Sequence, residues 1–217
     1  VPLSLDRKGN PNFDVVSSIL MNRVHLQPGK RPVPCVYRCG PDVWADIFRE
    51  LKIDVVIHNA AVVGTDVVGL NPGEATLTNV LGTRNVVLGA NQSRTAVSYM
   101  GTSVIYDASL YQDRPIKESD NRRPTTYYGQ LKLASEDIVK NSGTLWNIIR
   151  PLFAYGGDGD MNSLVAKIFF AHLTGTEQVP IFLDPDMYKD YIFVDDYCRA
   201  VVRAATEGLW NDDYNIA

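Results

Sequence analysis

No stretch of the sequence approaches the ~20 consecutive apolar residues that a membrane-spanning helix requires, so we expect no membrane partner. Cysteine is also scarce, with three residues in the chain. A small and odd number of cysteines is typical of a reducing compartment, which predicts a cytoplasmic protein. Cys35 and Cys39 have a spacing that could belong to a metal site, but no second Cys/His pair accompanies them, and we therefore expect no metal.

An excess of positive charge is missing as well. The formal net charge is -4, which argues against nucleic acid as the main partner. Hydrophobic residues make up 45% of the chain and charged residues 21%, as is ordinary for a folded globular protein. At 217 residues the chain can bury a full core within one large domain.

Two kinds of apolar segment alternate along the chain. Short runs typical of buried strands lie at 1–6, 34–38, 54–58, 96–100, 145–150, 179–182, 191–194 and 214–216. Segments with helical spacing lie at 13–24, 43–51, 72–91, 125–140, 161–173 and 195–205, with Asp42 and either Asp195 or Asp196 as predicted N-caps. This alternation predicts parallel strands joined by crossover helices, and hence an α/β fold with a doubly wound parallel sheet.

Small or polar residues follow several of the predicted strands. They are Asp6, Asn59, Ala60, Ala61, Thr102 and the segment 150–154. The polar, proline-containing segment 106–124 is predicted to be a loop over the same edge. Because doubly wound sheets bind ligands at the carboxyl ends of their strands, these positions together predict a binding site there.

Tyr128 and Lys132 are four residues apart and therefore lie above one another on one face of a predicted helix. A free tyrosine has a pKa near ~10, and a neighbouring ammonium group favours its phenolate. Thr102, which follows a predicted strand, could bind the same substrate oxygen. Tyr127 has Leu131 at the corresponding position and cannot form such a pair. The alternative is an ordinary amphipathic helix with an incidental Tyr and Lys.

Six segments, taken in their order along the chain, resemble the extended short-chain dehydrogenase/reductase family, which is also called the NAD-dependent epimerase/dehydratase family. They are Asp54-Val-Val-Ile-His-Asn-Ala-Ala61, Asn79-Val-Leu-Gly-Thr83, Gly101-Thr-Ser-Val-Ile-Tyr106, Tyr128-Gly-Gln-Leu-Lys132, Ile149-Arg-Pro151 and Asp190-Tyr-Ile-Phe-Val-Asp-Asp196. Each is weak evidence alone, but the ordered set covers nearly the whole chain. The resemblance implies a Rossmann-like sheet, with a small partial substrate-binding region near the C-terminus.

The resemblance also implies roles for individual residues. Tyr128 is implied to be the general acid or base, Thr102 its hydroxyl partner, and Lys132 the group that lowers the Tyr128 pKa and binds the nicotinamide ribose. The residues implied to contact or support the NAD cofactor are Asp6, Arg7, Asn59, Ala60, Ala61, Asn79, Tyr128, Lys132 and Pro151. Those implied to face the substrate are Ser103, Phe153 and Lys189.

The cofactor end of the resemblance is incomplete. Asp6 would bind the adenosine ribose and repel a 2′-phosphate, although Arg7 could offset that repulsion, so we expect NAD rather than NADP. The glycine-rich loop that carries the pyrophosphate in this family is absent. We therefore expect the sequence to be an internal portion of a longer chain. A truncated or decayed protein is the alternative.

Four positions depart from the family where the substrate would bind. Phe153 and Lys189 stand where the family often has Asn and Arg, and both changes weaken the case for a nucleotide-diphosphate sugar. Ser103 and Val104 replace the Asp-Glu pair of the sugar-nucleotide dehydratases, which makes that subclass a poor match.

The function predicted from these residues is an NAD-dependent epimerase acting on a nucleotide-diphosphate sugar by transient hydride transfer. An NAD(P)H-dependent reductase or dehydrogenase of a keto-sugar or small carbonyl compound needs the same residues, and a non-catalytic dinucleotide-binding protein is the alternative from another class. We expect residues 1–152 to form the nucleotide-binding domain, 153–194 a substrate-binding insertion, and 195–217 a return to the first domain. A homodimer through the helices at 72–91 and 125–140 is expected by analogy.

Overall fold

The computed structural model describes residues 36–111, 114–156, 164–175 and 189–217. The strands predicted at 1–6 and 179–182, the helix predicted at 13–24, and the residues Asp6, Arg7 and Cys35 lie outside the described residues. Within the described ranges, no helix is long and apolar enough to cross a lipid bilayer. The same ranges contain no group of three or more His, Cys, Asp or Glu side chains that could hold a metal ion.

Helices and strands alternate through most of the described chain. The helices are α1 (Pro41–Glu50), α2 (Thr65–Leu70), α3 (Pro72–Thr76), α4 (Thr83–Ser93), α5 (Tyr127–Lys140), α6 (Leu164–Thr174) and α7 (Val194–Thr206). A π-helix, Leu77–Gly82, joins α3 to α4, and short 3-10 helices lie at Val36–Arg38, Ser103–Ile105 and Ala108–Leu110. The strands are β1 (Val55–His58), β2 (Ala96–Met100), β3 (Trp146–Pro151), β4 (Phe153–Tyr155), β5 (Tyr191–Phe193) and β6 (Asp212–Ile216).

Four strands form one parallel sheet in the order β1-β2-β3-β6. The register pairs Val55 with Ala96 and Val97 with Trp146, so the carboxyl ends of the first three strands lie side by side. Strands β4 and β5 pair with each other in a separate two-stranded parallel sheet. That separation is compatible with an insertion at 153–194, but the predicted division into domains stays a prediction.

Helices cover both faces of the sheet because successive side chains of a strand point to opposite faces. On one face, Tyr99 and Ile148 belong to the main core, which includes side chains of α1, α4 and α5. On the other face, Met100 and Ile149 pack with Val201 and the neighbouring turn of α7. The prediction of a doubly wound, Rossmann-like α/β fold is therefore confirmed.

The strand predicted at 34–38 is wrong for the residues that are described, since Val36–Arg38 forms a 3-10 helix. The Asn85 amide nitrogen donates to the carbonyl oxygens of Tyr37 and Cys39 at 3.2 and 3.0 Å. A side chain of α4, rather than a neighbouring strand, thus satisfies this part of the backbone.

Both N-cap predictions are also wrong. The N-caps of α1 and α7 are Gly40 and Phe193, neither of which caps its helix through a side-chain hydrogen bond. Asp42, Asp195 and Asp196 lie instead in the first helical turns, where a negative charge interacts favourably with the helix dipole. A proline at the first position explains why α1 begins earlier than predicted.

The helix predicted at 72–91 is present but not uniform. Its middle segment, Leu77–Gly82, is a π-helix, a rare conformation that is often found at functional sites. This segment contains Asn79, which is 1% exposed.

Candidate active site

A pocket of about 360 Å³ lies at the carboxyl ends of β1, β2 and β3. Its wall combines the loop after β1, the turn after β2, the first turns of α5, the end of β3 and one residue of α7. The lining residues are Asn59, Ala61, Val63, Gly64, Thr65, Met100, Gly101, Thr102, Val104, Tyr128, Lys132, Pro151, Leu152 and Tyr197. This is the edge of the sheet at which the fold class binds its ligands.

Asn79 holds the loop that follows β1. Its side-chain oxygen accepts a hydrogen bond from the backbone nitrogen of Val62 at 2.7 Å, and its side-chain nitrogen donates to the Val62 carbonyl at 3.0 Å. Gly64 then precedes α2 with a φ of 97°, a conformation that favours glycine. These two features fix the backbone of the pocket wall on the β1 side.

The turn after β2 carries Thr102 into the pocket. The Thr102 hydroxyl oxygen accepts a hydrogen bond from the backbone nitrogen of Val104 at 3.3 Å and so caps the 3-10 helix that follows. A Cβ atom on Gly101 would lie 2.7 Å from Oε1 of Glu136 and 2.9 Å from Cγ of Arg150. Glycine therefore lets the backbone pass close to these two side chains, and this passage sets the position of Thr102.

Tyr128 and Lys132 reach the pocket from the first turns of α5 and are 7% and 3% exposed. Thr126 is the N-cap of this helix, and its hydroxyl oxygen accepts a hydrogen bond from a backbone nitrogen of the first turn at 3.1 Å. The Lys132 ammonium donates to the carbonyl oxygen of Met100 at 2.5 Å and lies 4.3 Å from the ring centroid of Tyr99. One of its three donors thus fixes the lysine on the end of β2.

Burial decides the protonation of this pair. It raises the pKa of Tyr128 above its ordinary value, even though the Lys132 charge and a hydrogen bond with Thr102 both lower it. Burial likewise lowers the pKa of Lys132 against the opposing effects of Tyr128 and Glu136. Lys132 therefore favours the phenolate, as the sequence predicted, but burial outweighs its effect and Tyr128 is a neutral phenol at rest.

His58, the last residue of β1, is buried next to this pair and is not among the site residues that the sequence predicted. Its Nε2 lies 3.0 Å from the hydroxyl oxygen of Thr83, which itself donates to the Asn79 carbonyl at 2.6 Å. Because that hydroxyl proton is engaged, Nε2 is the protonated nitrogen and donates to Thr83. Burial, with a smaller contribution from the Lys132 charge, lowers the pKa of His58 to about 3. His58 is therefore neutral and a poor base.

A buried ion pair lies behind the turn after β2. Glu136, one helical turn beyond Lys132, and Arg150 of β3 are both 0% exposed. Arg150 donates to the Glu136 carboxylate from Nε at 3.0 Å and from Nη2 at 2.9 Å. The same guanidinium donates to the Tyr106 hydroxyl at 2.7 Å and to the Asp213 carboxylate at 2.5 Å. This network joins α5 to β3 and β6.

The structure brings together most, but not all, of the predicted site residues. Those that line the pocket are Asn59, Ala61, Thr102, Tyr128, Lys132 and Pro151. Asn79 acts on the pocket through the loop after β1, and Ala60 packs against the main core.

The three predicted substrate residues do not line this pocket within the part of the chain that the structure describes. Ser103 begins a 3-10 helix, and the Lys189 ammonium lies 4.7 Å from the ring centroid of Phe153. Their roles, like those of the other site residues, stay predictions.

Among the lining residues that the sequence prediction missed, Thr65, Met100 and Tyr197 carry functional groups. The Met100 carbonyl anchors Lys132, and its role depends on the backbone rather than on a residue type. Tyr197 is in the first turn of α7, directly after the short strand β5. That position at a strand end is the signal that could have identified it.

A parallel Rossmann-like sheet that carries a Tyr-Lys pair on one helix, with a hydroxyl side chain at the end of the adjoining strand, defines proteins of the short-chain dehydrogenase/reductase type. Comparison with known families agrees with this class. The chain belongs to the NAD dependent epimerase/dehydratase family, whose model matches residues 35–217.

Individual relatives carry several activities. The chain is 26% identical over 175 residues to GDP-6-deoxy-D-talose 4-dehydrogenase of Aggregatibacter actinomycetemcomitans. This match covers 78% of the chain and 58% of that protein. The chain is 27% identical over 175 residues to dTDP-D-glucose 4,6-dehydratase of Homo sapiens, covering 78% of this chain and 49% of that protein. Among solved structures, MoeE5 in complex with UDP-glucose and NAD matches with a TM-score of 0.71 and 25% identity, covering 80% of this chain and 59% of that one. The chain thus spans between 49% and 59% of the length of these three proteins.

Proposed function

We propose that the protein is an NAD-dependent epimerase that acts on a nucleotide-diphosphate sugar by transient hydride transfer, with Tyr128 as the acid and base. The observation that carries this proposal is the meeting of Thr102, Tyr128 and Lys132 in one pocket at the carboxyl ends of parallel strands. Family membership supports NAD as the cofactor. The names of the two relatives and the ligands of MoeE5 include nucleotide-linked sugars, which supports that class of substrate.

The residues of the pocket fit a nicotinamide ring. Ala61, Gly64 and Gly101 are small, so a flat ring could approach the backbone closely on the β1 and β2 sides. Asn59 and Lys132 supply polar groups at the same place, and the lysine has further donors besides the one on β2. NAD, when bound, would supply the acceptor and donor of hydride.

Tyr128 would move the proton of the reaction. In the oxidising half, the Tyr128 oxygen would take the proton of a substrate hydroxyl as the carbon that bears it becomes a ketone carbon. In the returning half, Tyr128 would give the proton back to the same oxygen as that carbon is reduced from its other face, so there would be no net oxidation. Because burial raises the pKa of Tyr128, the Lys132 charge is needed to stabilise the phenolate that begins the cycle.

A reductase or dehydrogenase is the second candidate, because net hydride transfer needs the same three residues. It is favoured by Phe153 and Lys189, which stand where the family often has Asn and Arg and so weaken the case for a nucleotide-diphosphate sugar. Neither residue is among those that line the pocket. The dehydratase subclass stays a poor match because Val104 is an apolar residue of that wall, where that subclass has part of its acidic pair. A non-catalytic binding protein is disfavoured because it would have no need to bury both Tyr128 and Lys132 in the pocket.

Titration of the intact protein with NADH, followed by fluorescence, tests the cofactor. Saturable binding is expected, and its absence at millimolar NADH would overturn the proposed function. A thermal-shift panel of UDP-, dTDP-, GDP- and CDP-sugars with NAD present tests the substrate class. The absorbance of NADH then separates the candidates, since an epimerase shows no net change and a reductase consumes the cofactor.

We also propose a homodimer and a cytoplasmic location for the protein. Leu77 and Tyr127, which lie on the helices expected to form a homodimer, are 40% and 44% exposed. Such exposed apolar surface supports a dimer through these helices, and light scattering would measure it. A cytoplasmic location rests on cysteine content and stays a prediction.

A further inference from the structure

Tyr197 brings a second phenol to the pocket, from the opposite side of the sheet to Tyr128. It is in the first turn of α7, whereas Tyr128 is on α5, and both residues line the same cavity. Met100, at the end of β2, lies between the two helices: its carbonyl accepts from Lys132 and its sulfur accepts from the Tyr197 hydroxyl at 3.0 Å. Tyr197 is thus fixed at the wall of the candidate active site rather than on the outer surface of α7.

The hydrogen bond that the Tyr197 hydroxyl donates to the Met100 sulfur is weak. A thioether sulfur is a weak acceptor compared with a carbonyl or hydroxyl oxygen. A ligand oxygen that entered the pocket near Met100 would therefore offer the Tyr197 hydroxyl a stronger partner than it has in the free protein. The exchange would cost little, since only a weak bond to sulfur is given up.

We propose that Tyr197 is a ligand-binding residue of this site, which exchanges its hydrogen bond from the Met100 sulfur to a carbonyl or hydroxyl oxygen of the bound cofactor or sugar. This inference rests on the proposed function, because it takes the ligand to be a nicotinamide cofactor with a sugar nucleotide. The structure supports the role of donor. Burial raises the pKa of Tyr197, with smaller contributions from Cys198 and Tyr128, so the phenol keeps its proton at neutral pH.

The test compares Tyr197→Phe with wild type in the intact protein. NADH alone is titrated first, and the panel of UDP-, dTDP-, GDP- and CDP-sugars is then titrated onto protein saturated with NAD. Loss of one neutral hydrogen bond should weaken binding about two- to tenfold. If Tyr197→Phe binds NADH more weakly, the oxygen that accepts from the Tyr197 hydroxyl belongs to the cofactor. If NADH binding is unchanged but a sugar nucleotide binds more weakly, that oxygen belongs to the substrate.

Two further variants separate this role from a structural one. Tyr37→Phe removes a partly buried phenol whose hydroxyl donates to the Glu74 carboxylate at 3.0 Å, away from the pocket, and should not alter ligand affinity. Met100→Leu removes the sulfur but leaves the Tyr197 hydroxyl, so Tyr197→Phe made in the Met100→Leu background should weaken binding as much as it does in wild type. If Tyr197→Phe caused no further weakening in that background, Tyr197 would act only by holding Met100, and the proposal would be overturned.

The failure of this inference can be told from the failure of the proposed function. Wild-type protein that binds NADH normally, together with a Tyr197→Phe variant that matches it for NADH and for every sugar nucleotide, overturns the inference alone. Wild-type protein that does not bind NADH overturns the proposed function, and this inference with it.

Discussion

Acidification below pH ~6.5 should destabilise the protein through His58. Its imidazole is neutral, 4% exposed and bonded to Thr83. Because its pKa falls to about 3 in the folded protein, the unfolded chain takes up a proton at a pH where the folded protein does not. The stability that depends on neutral His58 is therefore complete above pH ~6.5, the ordinary pKa of histidine, and decreases as the pH falls below it.

The magnitude follows from the two pKa values. Between pH 7 and pH 5 the unfolded histidine becomes almost fully protonated, while folded His58, with a pKa of about 3, stays neutral. At 1.36 kcal/mol for each pH unit below ~6.5, the free energy of unfolding should fall by about 2 kcal/mol over this range.

Urea denaturation at pH 7, 6 and 5, for wild type and for His58→Gln, measures the effect. Glutamine can donate to Thr83 but does not titrate, so the variant should lose about 2 kcal/mol less than wild type on going from pH 7 to pH 5. His172→Gln is the matched control, because that residue is exposed on α6, and it should keep the wild-type pH dependence. Parallel pH profiles for wild type and His58→Gln would refute the reasoning.

Three further predictions concern the site and its support. Tyr128→Phe should lower turnover by ~10²–10⁴-fold, while the fold and the affinity for NADH should survive. Lys132→Ala should lower turnover further, because it removes a charge and a contact to the cofactor. Steady-state rates measure turnover, and titration with NADH measures the affinity of each variant. Gly101→Ala should cost ~1–3 kcal/mol of stability, measured by urea denaturation, because its Cβ would lie 2.7 Å from a Glu136 oxygen. Arg150→Met should cost ~3–5 kcal/mol, and lower the melting temperature, because it leaves the Glu136 carboxylate buried without its main partner.

Each of these three predictions has a control variant in the same chain. Tyr37→Phe removes a phenol outside the pocket and should keep wild-type turnover. Gly69→Ala adds a Cβ with nothing within 4 Å and should be tolerated. Arg203→Met breaks an exposed pair with Glu207 and should leave the melting temperature nearly unchanged. Near-normal turnover of Tyr128→Phe with the true substrate would make Tyr128 a packing residue. Equal losses of stability in Gly101→Ala and Gly69→Ala would contradict the packing argument. Equal changes of melting temperature in Arg150→Met and Arg203→Met would contradict the argument from the buried Glu136 carboxylate.

Much of the fold could be predicted because its signals are local. The apolar runs at 54–58, 96–100 and 145–150 are long enough and uniform enough to indicate strands buried on both faces, and the structure has β1, β2 and β3 there. The predictions that were wrong concern segments with few residues and no periodicity. The segment 34–38 was predicted as a strand, but Asn85, distant in sequence, donates to the carbonyl oxygens of Tyr37 and Cys39, and Val36–Arg38 forms a 3-10 helix.

The candidate site divides in the same way. Tyr128 and Lys132 share a helix face because the α-helix repeats every 3.6 residues, and their nearness follows from their spacing alone. Phe153 and Lys189 were predicted to face a substrate from a resemblance alone, and that role stays a prediction, while the structure shows that the two side chains contact each other. Their contact depends on the pairing of β4 with β5, which places Phe153 next to the residues that precede β5. No local sequence pattern predicts that pairing.

The sequence by itself thus determined the three central strands β1, β2 and β3, the Tyr-Lys pair and the edge of the sheet where the pocket lies, because each follows from a periodicity or from chain direction. Only the tertiary structure decided the chemistry of that pocket. Burial by the surrounding groups raises the pKa of Tyr128 and keeps His58 neutral. The packing of α7 against the sheet brings Tyr197 to the same pocket. Those groups come from strands and helices far apart in sequence, so their effect exists only once the sheet has formed and its faces are covered.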